Sequence, residues 1–282
     1  MIHKLFELTG KKALVTGGSV GVGRACATAL AMAGADVAIV ARTASRAERC
    51  CEGLRRLGVD AIFIQGDVTD PHQVRSIHTQ AVQRFGRLDI AVNNAGAGIA
   101  ASALETSDSE WDSMISLNLS SVFYCAQAQA RQMTRQTPAG GKIINIASMY
   151  AVIAGGHCGY NAAKAGVVHL TRSLAAEWGS WNVNVNCISP GWMLTPGNPI
   201  DTVLRERLRN VTPVGSLMRY GDIFGAIVFL ASEASHFMTG HNLTIDGGHT
   251  VNTHWTPLKR NVPPRNTPED EELGLNEDQT NR

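Results

Sequence analysis

Short apolar runs of four to six residues, rich in Val and Ile and bounded by Gly, Asn, Pro or Asp, recur along the chain between residues 12 and 248. Continuous hydrophobicity over so short a run is the pattern of a strand buried on both faces. Strands are therefore expected at 13–16, 36–41, 61–65, 90–93, 142–147, 184–189 and 242–245. The stretches between them carry helical spacing, at 23–33, 45–57, 72–84, 110–133, 160–178 and 221–232. Strand, helix and strand in this rhythm imply right-handed crossovers and a parallel sheet covered by helices, an α/β fold. No break in composition divides residues 1–248, so they are expected to form one domain. Residues 249–282 change character, with four prolines, many charges and little apolar periodicity. They read as a polar C-terminal extension, extended or partly disordered, with Trp255 and Leu258 as the residues that could dock on the body or on a neighbouring subunit.

Composition narrows the function classes. The chain has 282 residues, 44% of them hydrophobic, and 25 Lys+Arg against 24 Asp+Glu. That is too apolar for a disordered protein and carries no basic excess for a nucleic-acid partner. No apolar run approaches the ~18–20 residues that span a bilayer, and the start MIHKLFELTGKK has no signal-like core, so no membrane partner and a cytoplasmic location are expected. The six cysteines, at 26, 50, 51, 125, 158 and 187, form no C-x-x-C pair and read as reduced thiols packed as small hydrophobes. The nine histidines show no metal-ligand spacing, and no metal site is expected.

The first chemical constellation follows the first strand. Residues 16–23 read TGGSVGVG and lead directly into a helix. Gly17, Gly21 and Gly23 allow a tight turn and a close approach of the backbone to a pyrophosphate. Ser19 and Val22 lie in the same loop, and the helix that follows offers amide N–H groups and its positive dipole end. At the end of the second strand, sites for NAD place an Asp or Glu on the ribose 2′-hydroxyl. Here Ala41 takes that position, followed by Arg42 and Thr43. Nothing would repel a 2′-phosphate, and a charge-assisted bond from Arg42 would contribute roughly 1.5–3 kcal/mol, about 10- to 150-fold in affinity. Ser45 and Arg46 are candidate helpers. The expected cofactor is NADP(H), with NAD(H) as the alternative. Asp67 and Val68 follow the third strand, where the Asp67 carboxylate would accept from an adenine amino group or cap the helix entered through Asp70–Pro71.

The second constellation is Tyr160 and Lys164, spaced Y-x-x-x-K on one helix face. An ammonium beside a phenol would lower the phenol pKa from about 10 toward the working range, making Tyr160 a proton donor or acceptor at a carbonyl oxygen. Ser148, just past the fifth strand, would donate to the same oxygen, and Asn118 lies within the long helix 110–133.

Taken in order, TGGSVGVG, Asn93–Asn94–Ala95–Gly96, Asn118, Ser148, Tyr160–Lys164, Pro190–Gly191 and Asp246–Gly247–Gly248 resemble the short-chain dehydrogenase/reductase superfamily over residues 8–248. The resemblance implies a single Rossmann-type doubly wound domain with a seven-stranded parallel sheet in the order 3-2-1-4-5-6-7. It also implies an Asn-Ser-Tyr-Lys tetrad. Tyr160 would be the general acid/base, with Lys164 holding the nicotinamide ribose and tuning it. Ser148 would orient the substrate carbonyl, and Asn118 would anchor a water in a proton relay. Asn94, Ala95 and Gly96 would line the cofactor cleft and support the sheet. Pro190, Gly191, Met193 and Thr195 would meet the carboxamide, and the stretch after Gly191 would form a flap over the substrate. A homotetramer or homodimer is implied, with helices 110–133 and 160–178 as its surface. Val167, Val168 and Leu174 would be buried there or in the domain's own core.

One departure affects the substrate side. Ser148 precedes Tyr160 by 12 positions, where many members of the superfamily have 13, so the loop 149–159 is altered, and with it His157 and Cys158. The expected activity is hydride transfer between nicotinamide C4 and the carbonyl or secondary alcohol of a small molecule. The alternatives are an NAD(H)-linked polyol or sugar dehydrogenase, or a catalytically silent nucleotide-sensing protein.

Overall fold

Seven strands form where the apolar runs lie. They are β1 (Lys12–Thr16), β2 (Asp36–Ala41), β3 (Ala61–Gln65), β4 (Ile90–Asn93), β5 (Gly141–Ile146), β6 (Val183–Pro190) and β7 (Asn242–Ile245). The computed structural model describes residues 2–98, 102–155, 158–195 and 200–252. All neighbouring strands pair in parallel, in the order β3-β2-β1-β4-β5-β6-β7. The helices that cover them are α1 (Gly21–Met32), α2 (Ala44–Arg55), α3 (Pro71–Phe85), α4 (Asp108–Ile115), α5 (Ser121–Met133), α6 (Cys158–Trp178), α7 (Thr202–Val211) and α8 (Phe224–Ala231).

The strands are apolar throughout because both faces are covered. Ala13, Val15, Val37 and Ile39 point into the layer of α1, α2 and α8, whereas Leu14, Ala38 and Val40 point into the layer of α3, α5 and α6. Each fully buried aliphatic side chain contributes about 1.5–3 kcal/mol. Val167 and Leu174, which the sequence left between an oligomer surface and the core, belong to the core of the domain. None of the six cysteines is joined in a disulfide, and five are buried.

Two differences from the sequence expectation have local causes. The single helix expected at 110–133 is interrupted by a π-turn, Ser116–Ser120, in which the Ser121 N–H reaches back to the Ser116 carbonyl. Hydrophobic spacing hardly registers one widened turn, because the residues on either side keep their faces. The other is α7, a helix within the stretch expected to form a flap. Asp201 caps it by accepting from the Leu204 N–H at 2.8 Å, and Leu208 and Val211 supply its buried stripe. The cap and the Leu204, Leu208, Val211 spacing were the available signal.

A connected chain of polar side chains crosses the middle of the sheet. Asn93 on β4 donates to Gln129 on α5 and to Asn145 on β5, each at 3.0 Å, and Gln129 returns a bond to Asn93 at 2.7 Å. Asn145 donates to Thr171 on α6 at 3.0 Å, and Thr171 donates to the Val167 carbonyl. These four side chains are almost wholly buried. None of the described helices is long and apolar enough to cross a membrane.

Candidate active site

A cleft of about 530 Å³ opens at the carboxyl ends of β1, β4, β5 and β6. This is where the strand order reverses from β1 to β4, the usual ligand crevice of an open α/β sheet. Gly17, Gly21, Val22, Asn94, Gly96, Ser148, Tyr160, Lys164, Pro190, Gly191, Met193 and Thr195 all line it.

The glycine loop is shaped by close approach. A Cβ on Gly23 would lie 2.2 Å from the Gly17 carbonyl oxygen, so no other residue lets the first turn of α1 close on the end of β1. Gly21 sits at φ +58°, with Thr195 of the segment after β6 directly across from it. The residue that caps α1, Val20, makes no side-chain bond to the first turn. The amides of that turn are thus left for a ligand, which fits an anionic pyrophosphate. Ser19 is buried behind the loop rather than on the cleft. Asn94 ties the loop to β4 by donating to the Thr16 and Gly17 carbonyls at 3.0 and 3.2 Å. Thr16, which the sequence reading had not singled out, completes the clasp, its hydroxyl oxygen accepting from the Asn94 and Ala95 N–H groups.

The adenosine end is more open. Arg42 and Thr43 are exposed where β2 leads into α2, and the Arg42 side chain makes no ion pair among the described residues. Asp67 accepts from the Thr69 N–H and hydroxyl at 2.9 and 2.7 Å, while Asp70 caps α3. The capping alternative for Asp67 therefore falls away. Val68 is buried beside it.

At the other end, Ser148, Tyr160 and Lys164 converge. Ser148 follows β5 and Tyr160 and Lys164 are one turn apart on α6, all three walls of the same cleft. The Ser148 hydroxyl and the Tyr160 phenol line the same cleft, and the Lys164 ammonium stands 5.6 Å from the centre of the Tyr160 ring while donating to the Ile146 carbonyl at 2.8 Å. Burial pushes the Tyr160 phenol up, against a smaller downward pull from Ser148. This reverses the expectation that Lys164 brings the phenol down. The ammonium lies against the ring, and burial lowers its own pKa to about 8.

Asn118 sits in the π-turn, fully buried, and does not line the cleft. Its amide N–H groups donate to the Ala97 and Met114 carbonyls at 2.9 and 3.0 Å, and its oxygen accepts from the Ala97 N–H. Both ends of the side chain therefore hold the β4–α4 loop. A Cβ on Gly96 would meet the Asn118 oxygen at 2.7 Å and the Lys164 nitrogen at 3.3 Å, so those two side chains close the cleft behind Gly96. On the substrate side, Tyr150 meets Trp192 edge to face at 6.0 Å. Cys158 is exposed in the first turn of α6, whereas His157, Trp255 and Leu258 lie outside the described residues.

The chain is similar to proteins of known family over most of its length. A family profile described as Enoyl-(Acyl carrier protein) reductase matches residues 17–250. The chain is 38% identical over 252 residues to the 2-dehydro-3-deoxy-D-gluconate 5-dehydrogenase of Escherichia coli K12, covering 88% of this chain and 98% of that protein. It is 40% identical to the D-threitol dehydrogenase of Mycolicibacterium smegmatis, covering 87% and 95%. A solved gluconate 5-dehydrogenase from Burkholderia cenocepacia, in complex with NADP and tartrate, superposes with a TM-score of 0.84 at 34% identity, covering 89% of this chain and 99% of that one.

Proposed function

The chain belongs to the short-chain dehydrogenase/reductase family, oxidoreductases of small molecules that work with a nicotinamide cofactor, and on that premise we propose that it is an NADP(H)-dependent carbonyl reductase and secondary-alcohol dehydrogenase with Tyr160 as general acid/base. The observation that carries the reading is the convergence of Ser148, Tyr160 and Lys164 on one cleft whose other end is the glycine loop. When bound, the nicotinamide supplies or accepts the hydride.

The protein's own residues handle the oxygen and the proton. A carbonyl oxygen placed between the Ser148 and Tyr160 hydroxyls receives two hydrogen bonds, which strengthen as negative charge develops on it. A phenol held above its ordinary pKa stays protonated at neutral pH and is available as the donor. The ammonium of Lys164 then faces the forming phenolate across the Tyr160 ring, at the 5.6 Å given above, and stabilises it. In the oxidative direction the same groups act in reverse. Asn118 serves as a positioning residue that fixes Ala97 and the floor beneath Lys164. Arg42, with Ala41 in place of an acid, supports NADP(H) over NAD(H).

Tyr160→Phe tests the reading, since it keeps the ring and removes the proton. NADPH binding, followed by nicotinamide fluorescence, is expected to stay as in the wild type, while turnover falls at least ~100-fold. A variant with undiminished turnover would exclude Tyr160 as the acid/base. A wild type that binds NADPH and turns over no carbonyl or alcohol would restore the nucleotide-sensing alternative.

A further inference from the structure

The stretch 149–159, altered in length between Ser148 and Tyr160, is built around a tyrosine. The backbone N–H of Tyr150 donates to the Ser148 side-chain oxygen at 3.2 Å, which ties the residue to the hydroxyl that orients the carbonyl. Its ring meets Trp192 edge to face at 6.0 Å, and both residues line the cleft. The Tyr150 side chain is half-buried, and a charge on its phenol would raise that of Tyr160, which places the two phenols near each other.

Behind the ring the loop returns. A Cβ on Gly155 would lie 2.3 Å from Tyr150 Cε1 and 3.0 Å from its Cδ1 and Cζ, so the loop backbone rests directly on the ring. A side chain at that position would displace the ring from its packed place. Asn161, the residue after Tyr160 on α6, donates through Nδ2 to the Gly155 carbonyl at 3.0 Å. The helix that carries Tyr160 thus holds the loop, and the loop holds the ring. Tyr150 lines the cleft, whereas Gly155 and Asn161 stand behind it. A ring packed in this way discriminates by size, because a group that overlaps it cannot enter without moving the neighbours.

We propose, resting on the activity assigned above, that Tyr150 is the specificity-determining residue of the substrate end. Its ring is the wall that limits the group attached to the reacting carbon, and Gly155 and Asn161 are positioning residues that hold the ring from behind.

Symmetrical ketones test this, since they put the same group on both sides of the carbonyl and the outcome does not depend on which side faces Tyr150. Dihydroxyacetone and 3-pentanone are the short members, one hydroxylated and one not. The long member, 4-heptanone, adds a methylene to each side of 3-pentanone. One methylene in a fitted pocket is worth about 10- to 200-fold in kcat/KM. With NADPH, Tyr150→Ala is expected to raise kcat/KM for 4-heptanone relative to either short ketone by at least ~10-fold. Tyr150→Phe keeps the ring and should hold that ratio within about twofold of the wild type. Gly155→Ala and Asn161→Ala should each move the ratio at least ~3-fold when Tyr150 is present, and add nothing in the Tyr150→Ala background. NADPH binding, followed by nicotinamide fluorescence, reports that each variant is folded. A Tyr150→Ala ratio equal to the wild type's, or one matched by Tyr150→Phe, overturns the wall. Shifts from Gly155→Ala or Asn161→Ala that persist in the Tyr150→Ala background overturn their positioning role. A wild type that binds NADPH and reduces none of the three ketones overturns the carbonyl-reductase reading, and this assignment with it.

Discussion

Lys164 is an ammonium in an unfavourable place. Burial lowers its pKa from 10.5 to about 8, and the Ile146 carbonyl at 2.8 Å is the acceptor that keeps it inside. Between those two values the unfolded chain holds a proton that the folded chain has released. Unfolding then takes up a proton, so stability rises with pH across the window, and below pH 8 the whole cost of burying the charge is present. Lys164→Met removes the titration. Relative to the wild type, the variant's stability should therefore decline between pH 7 and pH 10, by on the order of 3 kcal/mol. Urea unfolding at the two pH values measures it. A gap that does not change with pH would mean that the ammonium is not desolvated. The same residue shows how far a motif reaches: Y-x-x-x-K predicted the pairing of Tyr160 and Lys164, but not that the lysine would lie on the ring face while burial raises the phenol.

Among the elements, the central ones are joined by amides rather than by apolar packing alone. The Asn93, Gln129, Asn145 and Thr171 chain fixes β4, α5, β5 and α6 to one another at the level of the cleft floor. Ile146, whose carbonyl holds Lys164, is the next residue along β5 from Asn145. Gln129→Leu keeps the volume but leaves the Asn93 oxygen without its 2.7 Å donor. The cost should be about 1–3 kcal/mol, or roughly 3–10 °C in Tm by calorimetry, and a variant as stable as the wild type would show that the amide is dispensable. The π-turn acts at the same level. By widening one turn between α4 and α5 it brings Asn118 within reach of both Ala97 groups.

For the whole molecule, cofactor preference is a linkage property. A ligand that binds only the folded state stabilises it by about 2.7 kcal/mol at 100 times its Kd, so Tm reports relative affinity without a known substrate. NADPH is expected to raise Tm more than NADH at equal concentration. Arg42→Asp should remove the NADPH shift and retain or enlarge that of NADH, because a carboxylate beside a 2′-phosphate repels it and beside a 2′-hydroxyl accepts from it. Equal shifts in the wild type would show that Arg42 does not reach the phosphate. Arg42 is exposed and far along the sheet from Tyr160, so this substitution should leave the pH dependence assigned to Lys164 untouched.

Strand content, a parallel sheet covered by helices and the glycine loop were legible in local chemistry, whereas the strand order came only from the family resemblance. A strand buried on both faces must be apolar throughout, and a loop that touches a pyrophosphate and closes on its own strand must be glycine at Gly17, Gly21 and Gly23. The reversal between β1 and β4 then puts those loops at one crevice. Other features depended on contacts between residues far apart in sequence, which no spacing rule encodes. Thr16 and Asn94 meet across 78 positions, and Asn93 reaches Gln129 across 36. The break in the helix around Asn118, the burial that sets Tyr160 and Lys164 and the assignment of Val167 and Leu174 to the core all arise the same way. Local pattern specifies which groups a segment offers, and only packing decides which of them lose water and which find a partner.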